Sequence, residues 1–251
     1  MNKYTKNLER IEFVVTNGCS GHCKHCSQGD HNDRIEHIDG EVAANVIEDV
    51  CNNYNITSLM TFGGEPLLYP EVTAKIQETA KKCNIKNREI ITNGYFSKDA
   101  KKIKEVAKMI ANSGITLLLL SVDAFHQETI PIDKVELFAN LLLEHGVNIE
   151  IHPAYLVSEV DENEYNLKTR KYLQRFTDKG IKVSSGNVIL PIGNAKKHFG
   201  KYYDKHKEYI SPYQQDCENI TAISINPNGD TLGGNIYKEN IIDMLNAYEP
   251  K

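Results

Sequence analysis

Three of the six cysteines lie within eight residues near the N-terminus, directly after an apolar run typical of a β-strand. Cys19, Cys23 and Cys26 follow the spacing C-x3-C-x2-C, and no fourth cysteine lies nearby. Thiolates are preferred ligands of iron–sulfur clusters and of zinc. Three of them on one short loop can hold three corners of a metal centre and leave the fourth open. Structural zinc is the alternative, with His22 or His25 as the fourth ligand.

Charge and composition narrow the class of protein. The 251 residues include 29 basic and 34 acidic side chains, for a net charge of −5. This balance gives no support to nucleic acid as a partner, because duplex-DNA binders usually carry a positive footprint. The sequence has no apolar run of the roughly 18 residues that a membrane helix needs, and no signal-peptide pattern. We therefore expect a cytoplasmic protein without a membrane partner, in which clustered cysteines indicate metal binding or catalysis rather than disulfides.

Alternating strand-like and helix-like segments follow the cysteine loop and must position it. Strict strand-then-helix alternation is typical of a parallel, right-handed α/β array. Six such units over residues 1–193 predict an open partial (β/α)6 barrel of parallel strands. The predicted strands are 12–16, 58–62, 89–92, 116–122, 148–152 and 181–190. The predicted helices run from Asp33 or Asp39 to 54, from 69 to 83, from Ser97 or Asp99 to 110, and over 132–144 and 163–179.

The alternation ends after residue 193. Residues 194–251 form a predicted C-terminal extension of roughly fifty residues, too small to fold as an independent domain. It is expected to contain a helical stretch at 194–211 and a closing helix at 241–247. Between them, the turn Pro227-Asn228-Gly229-Asp230 predicts a hairpin formed by residues 222–225 and 231–232.

Polar and glycine-rich motifs follow each of the first four predicted strands. Ligands of parallel α/β arrays bind at the carboxyl ends of the strands, where loops and helix N-termini meet. We therefore expect these motifs to share one edge with the cysteine loop. They are Gly63-Gly64-Glu65-Pro66 after the second strand, Asn93 after the third, and Ser121 and Asp123 after the fourth.

The cysteine spacing after the first strand, combined with Gly63-Gly64-Glu65-Pro66 after the second, resembles the radical S-adenosylmethionine (radical SAM) enzyme superfamily over about residues 11–190. The resemblance implies that Cys19, Cys23 and Cys26 bind one [4Fe–4S] cluster. It also implies that S-adenosylmethionine ligates the fourth iron and, after one-electron reduction, yields a 5′-deoxyadenosyl radical that abstracts hydrogen from substrate. A flavodoxin- or ferredoxin-type electron donor and oxygen sensitivity are implied as well.

The same resemblance assigns roles to the motifs at the strand ends. Gly63 and Gly64 would hold the methionyl amino group, since glycine allows close backbone approach, and Glu65 and Pro66 belong to that motif. Asn93, Ser121 and Asp123 resemble the ribose-facing and methionyl-facing groups of the family. For Asp123, the alternative is that it caps the segment that begins at Phe125. His25 occupies the position of an aromatic side chain near adenine.

The fifth and sixth strands add polar candidates by their parity. Glu150 and His152 share one face of the fifth strand, and the isoleucines occupy the other face. Polar side chains directed into a barrel lumen indicate a ligand cavity, so we expect both near substrate or adenosine, with a solvated strand end as the alternative. Asn187 on the sixth strand is a candidate for the adenine pocket.

The remaining cysteines are interpreted separately. Cys51 and Cys83 fall in helical stretches and are expected to be buried apolar residues. Cys217, followed by the turn at 227–230, resembles the start of a SPASM-type or twitch-type extension, but glycines stand where a further cysteine is expected. We therefore predict no auxiliary cluster. Cys217 is a hydrogen-atom donor, a substrate contact or a structural thiol. The lysine-rich stretch at 196–207 is either a surface that binds an acidic substrate or nucleic acid, or a solvated helix face.

The extension favours a peptide or protein substrate, as in peptide maturation. A small-molecule or nucleoside radical SAM enzyme and a glycyl-radical activase are alternatives. A non-catalytic iron–sulfur or zinc protein that senses redox state is the alternative from another class. The Gly63–Pro66 motif disfavours it, because a sensor needs no pocket for a sulfonium cofactor.

Overall fold

The computed structural model describes residues 2–30, 35–204, 206–211 and 214–250. The strands are β1 (Arg10–Thr16), β2 (Ser58–Gly63), β3 (Asn87–Thr92), β4 (Leu117–Leu120), β5 (Ile149–Ile151), β6 (Ala154–Tyr155), β7 (Lys182–Val183), β8 (Asn187–Val188), β9 (Ala222–Ile225), β10 (Asp230–Thr231) and β11 (Gly234–Asn235). The helices are α1 (Gly40–Asn53), α2 (Pro70–Lys82), α3 (Ala100–Asn112), α4 (Ile132–Glu144), α5 (Glu164–Thr177), α6 (Gly193–Phe199) and α7 (Ile241–Ala247).

A seven-stranded parallel sheet organises the chain, in the order β7-β5-β4-β3-β2-β1-β9. Its edge strands β7 and β9 do not pair with each other, so the described sheet stays open. This confirms the prediction of an α/β fold with a partial barrel of parallel strands. None of the described helices has the length and apolar character of a membrane span.

Alternation along β1 shows how the sheet separates its two faces. Ile11, Phe13 and Val15 are fully buried in a core shared with α1 and α2, whereas Arg10 and Glu12 on the opposite face are half-buried. Successive side chains of a β-strand point to opposite faces, which gives this alternation of buried and half-buried residues. Each carboxyl end of β1 to β5 then points to the same edge of the sheet.

Helix starts are set by capping side chains. Asp39 begins α1, and its carboxylate accepts hydrogen bonds from the backbone N–H groups of Glu41 and Val42. Such N-caps satisfy helix donors that have no intrahelical partner. The alternative start predicted at Asp33 lies outside the described residues.

The single sixth strand predicted at 181–190 is wrong, because the chain bends at Gly186. Gly186 has φ +64°, and a Cβ there would collide with the carbonyl of Pro153. The bend separates β7, which stays in the main sheet, from β8, which pairs with β6 in a small second sheet.

The extension contains a hairpin and a closing helix as predicted, but the hairpin is built from other residues. β10 pairs with β11 across Leu232 and Gly233, both at positive φ, as in the two-residue turns that suit hairpins. Residues 222–225, predicted as a hairpin strand, instead form β9 and pair in parallel with β1. Among its described residues, the helical stretch predicted at 194–211 is helical only in α6 and the short 3-10 turn Gly200–Tyr202.

Candidate active site

A cavity of about 390 Å³ opens at the carboxyl edge of the parallel sheet. Side chains and backbone from the loops after β1, β2, β3, β4 and β5 line it together with β8. The structure therefore brings together most of the predicted site residues. They are Cys19, Cys23, His25, Cys26, Gly63, Gly64, Asn93, Ser121, His152 and Asn187.

The cysteine loop holds its thiols close together. Burial is the main cause that raises the pKa of the Cys23 thiol, and negative charge on Asp123, Cys19 and Cys26 raises it further. The Cys19 sulfur accepts hydrogen bonds from the backbone N–H of Gly21 at 3.3 Å and from the Asn93 amide at 3.4 Å. Three neighbouring thiolates repel one another, so a bound cationic metal centre would stabilise them. The donor set fits an iron–sulfur cluster with one iron left open.

The turn after β2 packs directly on the backbone that leads to Cys19. The N–H of Gly64 donates to the Thr16 carbonyl at 2.8 Å, and the N–H of Glu65 donates to the Gly18 carbonyl at 2.9 Å. A Cβ at Gly64 would lie 2.6 Å from the carbonyl carbon of Gly18, where no side chain fits. Glycine at 64 therefore seats the turn against the cysteine loop as well as opening its backbone to the cavity.

Glu65 lies beneath the cavity and does not line it. Its Oε1 accepts from the Thr92 hydroxyl at 2.7 Å and the Leu67 N–H at 2.9 Å, and its Oε2 accepts from the Asn93 N–H at 2.8 Å. Full burial raises the pKa of this carboxyl to about 7, although the hydrogen bonds oppose the rise. Glu65 thus positions Asn93, while Pro66 is buried at the start of a short 3-10 turn.

Asp123 is also completely buried and lies outside the cavity lining. Its carboxylate accepts from the N–H groups of Phe125, His126 and Ala154 and from His126 Nδ1. Burial alone would raise the pKa of this carboxyl, but the imidazole of His126 and these hydrogen bonds hold it below its ordinary value. The predicted capping of the segment from Phe125 is present. His126 lines the cavity and was missed, although its spacing three residues after Asp123 was a usable signal.

His152 and Asn187 meet on one wall of the cavity. His152 Nδ1 lies 2.8 Å from the Ser184 hydroxyl, and its Nε2 lies 2.9 Å from the Asn187 amide nitrogen. Burial lowers the pKa of His152, which favours a neutral ring that accepts from Asn187 and donates to Ser184. Glu150, on the same strand face, is half-buried and does not line the cavity.

His25 is held among aromatic rings at the cavity wall. Its ring lies 5.2 Å from that of Phe125 and 4.6 Å from that of His126, measured between centroids. Burial is the main cause that lowers its pKa to about 4, so the ring is neutral at physiological pH. Its buried Nδ1 has no hydrogen-bond partner among the residues that the structure describes.

The start of α6 covers the outer side of the cysteine loop. The N–H of Asn194 donates to the Cys26 carbonyl at 2.9 Å, and the Asn194 amide lies 3.2 Å from a carboxylate oxygen of Asp30. Ala195 and Phe199 are buried, so the lysines of this helix face outward. No local pattern in the sequence indicated this contact.

Cys217 lies far from the cavity, at the opposite edge of the sheet. It is exposed, it shortly precedes β9, and the first residue of β9 pairs with Arg10 at the amino end of β1. The hydroxyl of Tyr248 donates to its carbonyl at 3.1 Å. This position does not suit a hydrogen-atom donor at the cavity. Cys51 and Cys83 contact each other between α1 and α2 and pack against the core.

Residues 13–205 match the family model of the Radical SAM superfamily, so the chain belongs to that superfamily of enzymes. Membership in this superfamily disfavours the zinc and redox-sensor alternatives. The chain is 27% identical over 204 residues to a GTP 3′,8-cyclase of Clostridium perfringens strain SM101, and 29% identical over 209 residues to that of strain 13. Each match covers 79% of this chain and 60% of the relative.

Solved structures share the fold. Streptococcus suis SuiB bound to S-adenosylmethionine superposes with a TM-score of 0.61 at 14% identity, covering 97% of this chain and 66% of SuiB. Native anSMEcpe with bound S-adenosylmethionine gives a TM-score of 0.61 at 18% identity, covering 97% of this chain and 81% of that protein. Both neighbours bind S-adenosylmethionine, and the family implies a [4Fe–4S] cluster.

Proposed function

We propose that Cys19, Cys23 and Cys26 hold one [4Fe–4S] cluster, that the adjoining cavity binds S-adenosylmethionine, and that the substrate is a nucleoside or nucleotide. When bound and reduced by one electron from a donor protein, the cofactor pair would supply a 5′-deoxyadenosyl radical to remove a hydrogen atom from the substrate. The chemistry of the donor set supports the cluster assignment, because soft thiolates suit iron and three of them leave one iron open.

The chain's own residues bind, orient and exclude water. The Asn93 amide and the Gly21 N–H donate to the Cys19 sulfur and so stabilise its thiolate. Gly63 and Gly64 line the cavity with backbone atoms alone, which suits recognition of an amino acid moiety by backbone groups. His152 and Asn187 also line the cavity.

The likeness to GTP 3′,8-cyclases over 79% of the chain is the observation that carries the nucleotide assignment. The chain spans only 60% of the length of those relatives, so we propose their activity for this chain and do not transfer it directly. The peptide prediction depended on the extension and on Cys217. Cys217 lies at the far edge of the sheet, and β9 completes the sheet instead of extending the cavity, which leaves that prediction without support at the site.

Hydrogen transfer from a labelled nucleotide tests the proposal. Anaerobically reconstituted and reduced protein would be incubated with S-adenosylmethionine and GTP deuterated on the ribose. Deuterium should appear in 5′-deoxyadenosine. Cleavage of S-adenosylmethionine without deuterium transfer from any nucleotide, combined with transfer from a deuterated peptide, would overturn the nucleotide assignment and leave the radical chemistry intact.

We also propose that the electron donor docks beside α6. Lys196, Lys197 and Lys201 are exposed and form no ion pair with another described residue, and the first turn of α6 contacts the Cys26 carbonyl. Lys24 on the cysteine loop itself pairs with Glu128 at 3.1 Å. A basic face beside the cluster loop, on a chain of net charge −5, suits a negatively charged flavodoxin- or ferredoxin-type protein.

A further inference from the structure

His126 presents one ring nitrogen to the cavity and uses the other to bind Asp123. The His126 side chain is 17% exposed and lines the cavity, while Asp123 is fully buried. The Nδ1 of His126 lies 2.7 Å from Asp123 Oδ2. Its Nε2 has no hydrogen-bond partner among the described residues, and it is therefore the nitrogen that remains for a ligand.

The Asp123 carboxylate fixes Nδ1 of His126 as a hydrogen-bond donor. Three backbone N–H groups, those of Phe125, His126 and Ala154, donate to it at 2.9, 2.9 and 3.0 Å. Several converging N–H donors stabilise the charged carboxylate. A carboxylate only accepts, so His126 Nδ1 donates to it, and Nε2 is the ring nitrogen left to bind a ligand.

The ring of His126 is also fixed in orientation. The ring of His25 meets it nearly edge-on, at 4.6 Å between centroids and an interplanar angle of 72°. His126 begins the short 3-10 turn His126–Glu128, and its own N–H is bound by Asp123. Because both its backbone N–H and its ring are held, His126 has little rotamer freedom to lose on binding. This suits directional recognition of a ligand.

A metal ion is the competing interpretation of this cluster. Ligand atoms of His25, Asp123 and His126 lie within 4.8 Å of one another. The Asp123 carboxylate, however, already accepts four hydrogen bonds, which is about its full capacity. A metal bound between Asp123 and His126 would have to displace this 2.7 Å hydrogen bond.

We infer that His126 is a substrate-positioning residue whose Nε2 forms a hydrogen bond with a ribose hydroxyl of the nucleoside or nucleotide, with Asp123 holding the ring. This inference rests on the proposed function, because it names the part of that substrate which is recognised. S-adenosylmethionine offers ribose hydroxyls too, so the test must separate the two ligands.

Binding to the reconstituted protein without reductant gives a readout that does not depend on turnover. Affinities would be measured by calorimetry for S-adenosylmethionine and then, with it bound, for GTP, 2′-deoxy-GTP and 3′-deoxy-GTP. We expect the wild-type protein to bind one deoxy analogue about tenfold more weakly than GTP, as the loss of one hydrogen bond predicts. His126→Phe keeps a planar ring and should bind all three nucleotides equally. Removing the hydroxyl in wild type and in this variant forms a double-mutant cycle, which isolates the coupling between His126 and that hydroxyl.

Two further variants sharpen the test. In Asp123→Asn the carboxylate that holds the ring is lost, so discrimination between GTP and its deoxy analogues should weaken again. His145→Phe makes the same chemical change at an exposed histidine at the end of α4 and should behave as wild type. Melting temperatures of all variants would show whether each is folded.

The outcomes separate the two proposals. Failure of the wild-type protein to bind any nucleotide overturns the substrate class and this assignment with it. Undiminished discrimination in His126→Phe overturns only the assignment, as does a several-fold loss of affinity for S-adenosylmethionine in that variant. A stoichiometric second metal that is lost in His126→Phe would establish the metal interpretation instead.

Discussion

The backbone N–H of Asn93 donates to Glu65 Oε2 at 2.8 Å, and the Asn93 amide in turn lies 3.4 Å from the Cys19 sulfur. A buried carboxylate thus connects the turn after β2, the end of β3 and the cysteine loop. Glu65 touches no part of the cavity, yet it sets the position of a side chain that does.

Glu65→Gln should remove a pH dependence of stability. Burial raises the pKa of the Glu65 carboxyl from 4.5 to about 7. Because the folded-state value is the higher one, this group contributes stability that is fully present below pH 4.5 and is lost as the pH rises through 7. The loss amounts to about 3 kcal/mol, and Gln cannot titrate. Urea unfolding from pH 4.5 to 7.5 measures the difference between the two proteins.

The exposed Glu105 provides the control for that experiment. Glu105→Gln should follow the wild-type pH curve. When the effect of the Glu65 titration is subtracted, Glu65→Gln should also be about 1–3 kcal/mol less stable than wild type at pH 7.5. The reason is that the Gln amide places an N–H donor against a buried backbone N–H. Parallel pH curves for wild type and Glu65→Gln would contradict the raised pKa.

Cys23→Ala should abolish iron binding. Reconstituted wild-type protein should contain about four irons per chain and absorb broadly in the visible range, as such clusters do. The variant should lose both, since two thiolates remain. Cys51→Ala and Cys217→Ala should retain full iron content, because neither residue lines the cavity. Zinc in place of iron, or a lower iron count in Cys217→Ala, would contradict the assignment of one three-cysteine cluster.

Gly64→Ala should impair both iron retention and binding of S-adenosylmethionine. The added Cβ would lie 2.6 Å from the Gly18 carbonyl carbon and 2.8 Å from the Asn17 carbonyl oxygen, so the turn or the cysteine loop must move. Gly200→Ala is the matched control, because a Cβ there meets no atom within 4 Å. Iron analysis and calorimetry check the prediction. Full iron content with only S-adenosylmethionine binding lost would mean that the loop tolerates the displacement.

Reversing the charge of the α6 lysines should slow reduction by a protein donor. Lys196→Glu with Lys197→Glu is expected to lower the rate of cluster reduction by flavodoxin about tenfold at low salt, with a smaller effect at high salt, since screening weakens surface electrostatics. Dithionite should reduce wild type and variant equally. The pair Lys104→Glu with Lys108→Glu, exposed on α3, is the control. Equal slowing by both pairs would indicate an effect of net charge rather than of docking.

The sequence predicted what depends on local pattern. Helix α4 begins and ends at the predicted residues 132 and 144, and the motifs after the first four strands converge because parallel strands end at one edge. Interactions between distant segments were not predictable in this way. Examples are the pairing of β9 with β1 and the contact of Asn194 with Cys26, since no periodicity records them.

Within the site, parity placed His152 in the cavity but could not separate it from Glu150, because both share a strand face and only depth distinguishes them. The motif after β2 likewise contains residues of two kinds. Gly63 and Gly64 line the cavity, whereas Glu65 supports it from below. The sequence motif shows only that these residues occur together, and their contacts in the structure show what each one does.

The pairing of β9 with β1 has a consequence for biosynthesis. Arg10 to Phe13 leave the ribosome well before their partners Ala222 to Ile225, because about 200 residues separate the two strands. Until then one edge of β1 carries unpaired N–H and C=O groups, which can pair with other chains. We expect nascent or C-terminally cleaved chains to aggregate and to depend on chaperones, because their sheet lacks its last strand.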